Sequence, residues 1–330
     1  MYEITAYNEK YENIWDKFVM EESVNGTFLQ TRRFLNYHPE KRFIDASYMV
    51  FDNKQHLIAV CPACVKTESG EKILYSHGGS TYGGIIIGKK HYKSAQVIEI
   101  ISTLENTWKA DGFNKAIIKQ TPSLISEEDA DLFQYCFYYL HYQCCSELNL
   151  YVDLENYRED ILSEFSQGKR TNVHNCQKRG AYYRKLTKYE EIERFYQLLE
   201  ITLSKYEKKP VHTIDEIYEF QTKRLVNECE CFGMYENDVM LAGSMMFYFS
   251  HAGVAHTQYL CADSNYNQLS PMTYMYYAML VEMRKRGYKK VSWGIVTENL
   301  GLYLNEGLVK SKEYYGSKYS INPIFVKKLI

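Results

Sequence analysis

No apolar stretch of this sequence is long enough to span a bilayer: the strongest, 239–249, is about half of the roughly 20 residues that a membrane helix needs. Charge of one sign is lacking too. Lysine and arginine number 39 against 41 acidic residues, a formal net charge of −2, so no global field draws the chain to nucleic acid or acidic lipid. DNA is not an expected partner, although a local basic groove is compatible with that balance. With no recognisable signal sequence, the nine cysteines fit a reducing, cytoplasmic setting. Cys61 and Cys64 form a C-x-x-C, but Pro62 lies between them, the context is an apolar strand, and no second Cys/His pair is near. They read as packing residues, as do Cys144, Cys145, Cys229 and Cys231, and no metal is expected. Also missing are a Gly-Lys-Ser/Thr after the glycine loop 78–84, a Ser-His-Asp order and a dinucleotide fingerprint. Their absence removes P-loop, serine-hydrolase and nicotinamide chemistry from the expectations.

What is present suffices for two cores. The chain has 330 residues, of which 45% are hydrophobic, and suggests about two domains at roughly 150 residues each. The 32 tyrosines read as half-buried positions, with stacking platforms as the functional alternative. Spacing predicts helices over 11–20, 28–37, 96–110 and 127–141, a hairpin pairing 47–51 with 57–60, and strands at 74–77, 85–87 and 115–118. The glycines of 78–84 permit close backbone approach, to a ligand or to a neighbour.

The stretch 239–318 organises the second half. It reads as strand (239–249), strand (253–260), polar loop, helix (270–286), strand (290–296) and short helix, a mixed α/β unit with a crossover helix. Ser270 can cap the long helix and Pro271 fits its first turn. Leu269, Met272, Tyr276, Met279 and Met283 recur at steps of three and four as one buried stripe. The helix start lies just beyond a strand end, where free amides can hold an anion.

The two halves look alike. Phe51–Val60 parallels Tyr235–Gly243, each followed by a strand with a histidine (His77, His256). A helix then ends in glycine (Gly112, Gly287), and aromatic, lysine and strand follow, Phe113 to Ile118 against Tyr288 to Trp293. A duplicated α/β domain follows from this order. The expected fold is α/β (α+β): two tandem domains, 1–148 and 149–330, each a mixed sheet flanked by helices and related by a pseudo-two-fold, with the last strand able to pack on the N-terminal domain. Between the halves, Lys169, Arg170, Lys178 and Arg179 sit on a helix with one modest apolar face. They read as phosphate contacts or as a solvated face.

On these residues the second half resembles the GNAT N-acetyltransferase fold. The duplication, the basic segment and the tail resemble the FemABX peptidyltransferases, doubled GNAT folds that move an amino acid from aminoacyl-tRNA to a peptidoglycan precursor. Patterns such as Thr27 to Pro39 and Ser76 to Gly84 are similar to those of doubled GNAT-like proteins among surface-glycan genes. The GNAT helix-start motif Gln/Arg-x-x-Gly-x-Gly/Ala falls on Asn267, Ser270 and Met272, so both glycines are gone. The resemblance implies a donor site at Tyr259, Leu260, Asn267, Gln268, Leu269, Ser270, Met272 and Thr273, with acyl-CoA or aminoacyl-tRNA as carrier left undecided. It implies Tyr303, in Tyr303-Leu-Asn-Glu-Gly307-Leu308, as the acid for the leaving group. It implies Lys312, in Ser311-Lys312-Glu-Tyr-Tyr315-Gly316, as the lysine that stabilises developing charge or the tRNA end. Precursor phosphates would meet Lys169, Arg170 and Lys178.

The chemistry asks for a base near neutral pH, His256 or Glu298 through water, and for backbone N–H groups near Tyr259 and Leu260 to hold a carbonyl. His256 reads equally as a satisfied core histidine, and Tyr303 as a packing aromatic. An acceptor cleft lined by Gln30, Arg33, His77, Tyr82, His256 and Gln258, drawn from both halves, is expected. The reading is N-acyl or aminoacyl transfer to an amino group of an amino sugar or of a cell-wall or surface-glycan precursor, with tRNA as a further partner in the aminoacyl case. Aminoacyl-tRNA-dependent peptidyl transfer proper and a non-catalytic GNAT-like binding protein are the alternatives.

Overall fold

The computed structural model describes residues 2–39, 42–126 and 131–330. Contacts divide it into two compact units, one of Met1–Leu148, Thr297–Tyr303 and Ile321–Ile330, the other of Asn149–Val296 and Leu304–Ser320. No helix among the described residues is long and apolar enough to cross a membrane.

The first unit holds two sheets. One is four-stranded and antiparallel, in the order Glu3–Ala6, Tyr48–Phe51, Leu57–Cys61, Ile86–Ile87; its central hairpin is the one that alternation predicts. In the other, Lys115–Lys119 lies between Glu71–Ser76, which runs parallel to it, and Ile324–Lys328, which runs antiparallel. Cys64–Glu68 and Ile44–Asp45 extend that sheet outward. The helix Ser94–Ala110 buries Val97, Ile100, Ile101, Leu104 and Trp108, a stripe at helical spacing that fills the core. The helix expected over 127–141 is Asp131–Tyr139; residues 127–130 lie outside the described ones.

Two expectations in this unit need correction. The segment 28–37 is not one helix. Thr31, at ψ 152°, divides a 3-10 turn, Phe28–Gln30, from a short helix, Arg32–Leu35. Thr27 and Thr31 each cap the turn that follows, accepting from Leu29 N at 3.2 Å and Phe34 N at 3.3 Å, and such side-chain bonds compete with a continuous helix. Likewise 11–20 is the helix Glu12–Lys17 running into a π turn, Phe18–Glu22.

The second unit is one mixed sheet in the order Tyr182–Lys185, Cys229–Glu236, Val239–Phe249, Val254–Ala262, Lys290–Ile295, followed by residues 149–153. The helix Pro271–Lys285 is the crossover between the two parallel strands and buries Met275, Tyr276, Met279, Leu280 and Met283. Ser270 takes the N-cap position but in the left-handed region, φ +57°, and makes no side-chain capping bond. Pro271 at the first position fixes the start instead.

The repeat is visible in the register. In the first unit Ile73 pairs with Lys115 and the parallel match runs to Ser76 against Ile118. In the second, Val254 pairs with Lys290 and the match runs to His256 against Ser292. Both crossover helices end before a glycine at positive φ, +78° at Gly112 and +82° at Gly287, which lets the chain reverse into the strand.

Candidate functional site

The second unit opens where its parallel strands part. Val254–Ala262 and Lys290–Ile295 pair over three residues only, ending at His256 and Ser292. Two irregularities sit at that point. Gln258 has no partner across the sheet, because Met246 faces Thr257 and Met245 faces Tyr259. Trp293 is skipped on the other strand, where Ser292 faces Tyr151 and Gly294 faces Leu150. Bulges of this kind bend strands and terminate pairing. Beyond His256 the strand edge has no strand partner on that side among the described residues, and Gln258, Tyr259 and Leu260 are half-buried there.

His256 stands at the apex, 6% exposed. Its Nδ1 is 3.0 Å from Ser292 Oγ. Ser292 Oγ donates to Asn149 Oδ1 at 3.1 Å, while Asn149 Nδ2 donates to Ser320 Oγ at 2.9 Å. Gly294 N donates to Ser292 Oγ at 3.3 Å. The serine's one proton is thus spent on Asn149, so Nδ1 of His256 is the donor and Nε2 carries the lone pair. Burial, and then the charge of Lys312, hold the imidazole pKa down at about 4, so it is neutral at physiological pH.

Lys312 lies beside this apex. It is 4% exposed, on the helix Glu306–Glu313, and its Nζ donates to Trp293 O at 2.7 Å and Gly294 O at 3.4 Å. No carboxylate pairs with it among the described residues, and burial pushes its pKa down to about 7. The rest of the tail motif fixes the lysine in place. Ser317 Oγ accepts from Trp293 Nε1 at 3.0 Å and donates to Lys312 O at 2.7 Å. Tyr315 stacks on Tyr276 at 4.3 Å between centroids, and Tyr276 meets Trp293 edge-on. Gly294 lies at φ +82°, a conformation that favours glycine, and a Cβ there would make an ordinary contact with His256 Cε1 at 3.5 Å.

At the start of the crossover helix few amides are open. Ser270 N is bonded to Asn267 O at 3.0 Å, Pro271 has no N–H, and Thr273 N is bonded to Ser270 O at 3.0 Å. Leu269 O accepts from Arg179 Nη2 at 2.8 Å, and Arg179 is paired to Glu236 at 2.7 Å. Asn267 and Gln268 are exposed and Met272 half-buried. Lys169 reaches the helix start: its Nζ is 3.4 Å from Thr273 Oγ1 and lies 5.3 Å over the Tyr315 ring. Burial lowers its pKa. Arg170 Nη1 makes a long contact, 3.5 Å, to Ser163 O. Lys178 is exposed and, nine residues on from Lys169, about half a turn out of phase with it, so the basic residues of this helix do not share one face.

The expected role of Tyr259 is through its backbone. Its side chain has a task as well: the hydroxyl accepts from Val211 N at 3.2 Å and meets His212 Nδ1 at 2.8 Å. Asn149, Ser292 and His212 are not marked by the sequence. Asn149 and Ser292 are polar residues inside strands and His212 lies in a bend before a helix, and none of these positions carries a spacing signal.

In the first unit, Gln30 is fully occupied. Its Oε1 accepts from Thr27 N at 2.8 Å and Thr27 Oγ1 at 2.6 Å, and its Nε2 donates to Gly83 O at 3.1 Å and Thr121 Oγ1 at 2.9 Å. Gln30→Ala is expected to cost about 3–5 kcal/mol, because buried partners are left unpaired. Urea unfolding measures it, and a loss below about 1 kcal/mol would show that water replaces the amide. Arg32, which sequence reasoning passes over for Arg33, is buried and ion-paired to Asp45. Its guanidinium lies 3.4 Å over Tyr7 and 4.3 Å over Trp15. Arg33 is half-buried, with its N–H bonded to Asp16 at 3.1 Å. His77 is 3% exposed; its Nδ1 accepts from Gly79 N at 3.1 Å, and burial holds its pKa at about 4. The close approach that Gly79 permits is to His38, whose Nε2 lies 3.1 Å from Gly79 O. Tyr82 is buried and its hydroxyl is 3.5 Å from Asn322 Nδ2. Glu298 and the 60%-exposed Tyr303 belong to this unit by their contacts, in a small two-stranded ribbon, Thr297–Glu298 with Tyr303–Leu304.

No family model matches the sequence, and no curated protein matches it. Solved structures do match the fold. FemX aligns over 99% of this chain and 97% of its own, at 12% identity and a TM-score of 0.68. The C-terminal domain of a putative lysylphosphatidylglycerol synthetase from Agrobacterium fabrum aligns over 97% and 92%, at 11% identity and a TM-score of 0.62. A tandem GNAT protein from the clavulanic acid biosynthesis pathway aligns over 100% and 99%, at 9% identity and a TM-score of 0.56. By fold, then, the chain is similar over nearly its whole length to FemX and to a tandem GNAT protein.

Proposed function

We propose that the protein transfers an acyl or aminoacyl group to a primary amine at the parting of strands Val254–Ala262 and Lys290–Ile295, on an amino sugar or a cell-wall or surface-glycan precursor. The observation that carries the reading is a neutral His256 whose Nε2 lone pair is unspent, beside a buried lysine with no carboxylate partner. The donor carbonyl lies along the unpaired edge at Gln258 to Leu260, where backbone N–H groups stabilise its oxyanion. The amine nitrogen attacks the carbonyl carbon and its proton passes to His256 Nε2. The bond from carbon to the carrier breaks, and the carrier leaves with a proton. Lys312, held on the carbonyls of residues 293 and 294, contributes positive charge as the oxyanion forms. FemX-like architecture supports a cell-wall type of acceptor.

The carrier in this reading is an ester on the 3′ end of an RNA rather than a CoA thioester. A pyrophosphate at the helix start would forgo the amides of Ser270 and Thr273, already bonded, and of Pro271, which has none. Each missing charge-assisted bond is worth about 1.5–3 kcal/mol, so acetyl-CoA is expected to bind at least about 100-fold more weakly than to an open helix start. Calorimetry checks this, and a Kd below about 1 μM would restore CoA as the donor. The transfer itself is tested by incubation with a labelled aminoacyl-tRNA pool and, separately, with acetyl-CoA, in the presence of an amino sugar or a nucleotide-linked peptide precursor. Label on the amine from tRNA supports the reading. Label from neither donor, with both donors intact, leaves the protein as a binding module.

A further inference from the structure

On the first unit, the helix Asp131–Tyr139 leaves Tyr135, Tyr138 and Tyr139 exposed by 54%, 71% and 56%. Rings this large are normally turned inward or covered. Tyr135 and Tyr139 lie 6.2 Å apart with their planes tilted by 34°, so they present a stepped aromatic surface. A hollow of about 840 Å³ begins at Tyr138 and Tyr139 and continues, through shared walls at His141, Gln143 and Lys327, into a second of about 480 Å³ that ends at Lys115 and Lys328. Among the described residues no carboxylate lines either part. Lys327 is committed, with its Nζ 2.7 Å from both Glu105 Oε2 and Leu140 O. Lys115 and Lys328 make no ion pair among the described residues, although Glu68, outside the groove, feels the charge of Lys115.

We propose that this groove, running from the tyrosine platform to Lys115 and Lys328, binds a single-stranded or looped segment of RNA. Three features select that occupant. Bases stack on aromatic faces without sequence preference, phosphates need cations spaced along a track, and an acid-free lining imposes no repulsion. An apolar peptide would use the rings but not the lysines; a neutral glycan would likewise leave the lysines without partners. On a chain of net charge −2, such a groove is a local exception rather than part of a general basic field. The inference rests on the reading that the donor is carried on RNA, and it assigns this face to holding the RNA body away from the reacting end.

The test is fluorescence anisotropy with labelled, uncharged tRNA. The expected result is binding that weakens about 10-fold or more in Tyr138→Ala/Tyr139→Ala, in line with stacking losses. Lys115→Gln/Lys328→Gln should also reduce the slope of log K against log salt by about 0.7 for each phosphate that the lysines no longer neutralise. Tyr138, Tyr139 and Lys328 are exposed and Lys115 is half-buried without an ion pair among the described residues, so the fold tolerates these changes; circular dichroism confirms it. The proposal is overturned if wild-type protein binds no tRNA, or if the tyrosine variant binds it as well as wild type. It is equally overturned if the tyrosine variant changes only the sedimentation coefficient, which would make a second copy of the chain the occupant. Failure of the donor reading is distinguishable: tRNA binding that depends on the groove, without transfer of the aminoacyl group, removes the donor and leaves the groove.

Discussion

Lys312→Met is expected to lower the transfer rate by about 10²–10³-fold, the scale of a lost oxyanion stabiliser, with KM little changed and the fold intact. Methionine matches the length of the lysine stem and removes an unpaired buried charge, a change that proteins often tolerate or gain from. The pH dependence separates electrostatic catalysis from a merely structural role. With Lys312 titrating at about 7 and His256 at about 4, wild-type kcat should rise from low pH through the imidazole limb and fall as the ammonium is lost above pH 7. The methionine variant should lose the upper limb. Stability should move the other way. The lysine pKa is lower folded than unfolded, about 7 against 10.5, so between these values the unfolded chain binds more protons. Stability therefore climbs as pH rises across that window, by at most about 4–5 kcal/mol. The variant should be flat there. If kcat of the variant equals wild type, or its upper limb persists, Lys312 is only a strand pin.

Much of this fold is legible in the chain because the signals are local. The hairpin of Tyr48–Phe51 with Leu57–Cys61 shows in its alternation, and the crossover helix Pro271–Lys285 in its proline, its apolar stripe and Gly287. The repeat shows because both units enter their parallel pairing at a lysine two residues after an aromatic. The site is less legible because it depends on where regularity fails. Alternation puts Gln258 two residues from His256 on one strand face, but it is the bulged residue, so the alternation does not run through it. Nothing in the residue types marks that position. Gln30 shows a different limit. A glutamine that contacts a ligand and one that closes a buried turn look the same in sequence, and here Thr27, Gly83 and Thr121 account for the side chain completely. The burial of Lys312 cannot be read from Lys-Glu-Tyr-Tyr either. It follows from Tyr315 and Ser317 fixing the short helix against residues 293 and 294.

Acid should unfold this protein well before its carboxylates are exhausted, and His77 and His256, together with His38, should account for most of it. His77 and His256 are both buried and held at about 4, against about 6.5 in the unfolded chain. His77 feels Asp45 in favour of its charge and Arg32 and His38 against it; His256 feels Lys312 against it. Desolvation is the larger cause at both. Folded pKa values below the unfolded ones mean that the unfolded state binds more protons between pH 6.5 and 4. Stability is thus complete above 6.5 and falls as pH drops through that window, by up to about 1.4 kcal/mol per pH unit for each histidine. Over the whole window the pair removes up to about 6–7 kcal/mol, comparable with the total stability of a domain. Urea unfolding at pH 7.0, 5.5 and 4.5 measures the slope. Asparagine at either position can replace the Nδ1 contact, to Ser292 in one case and Gly79 in the other, without taking up a proton. His38 is likewise held at about 4 by burial, so His77→Asn and His256→Asn should each remove about a third of the slope, and the double variant should keep only the third that His38 supplies. A double variant as acid-labile as wild type would move the cause to the carboxylates. If each single variant flattens a different unfolding transition, the two units, one carrying His77 and the other His256, lose their structure independently in acid.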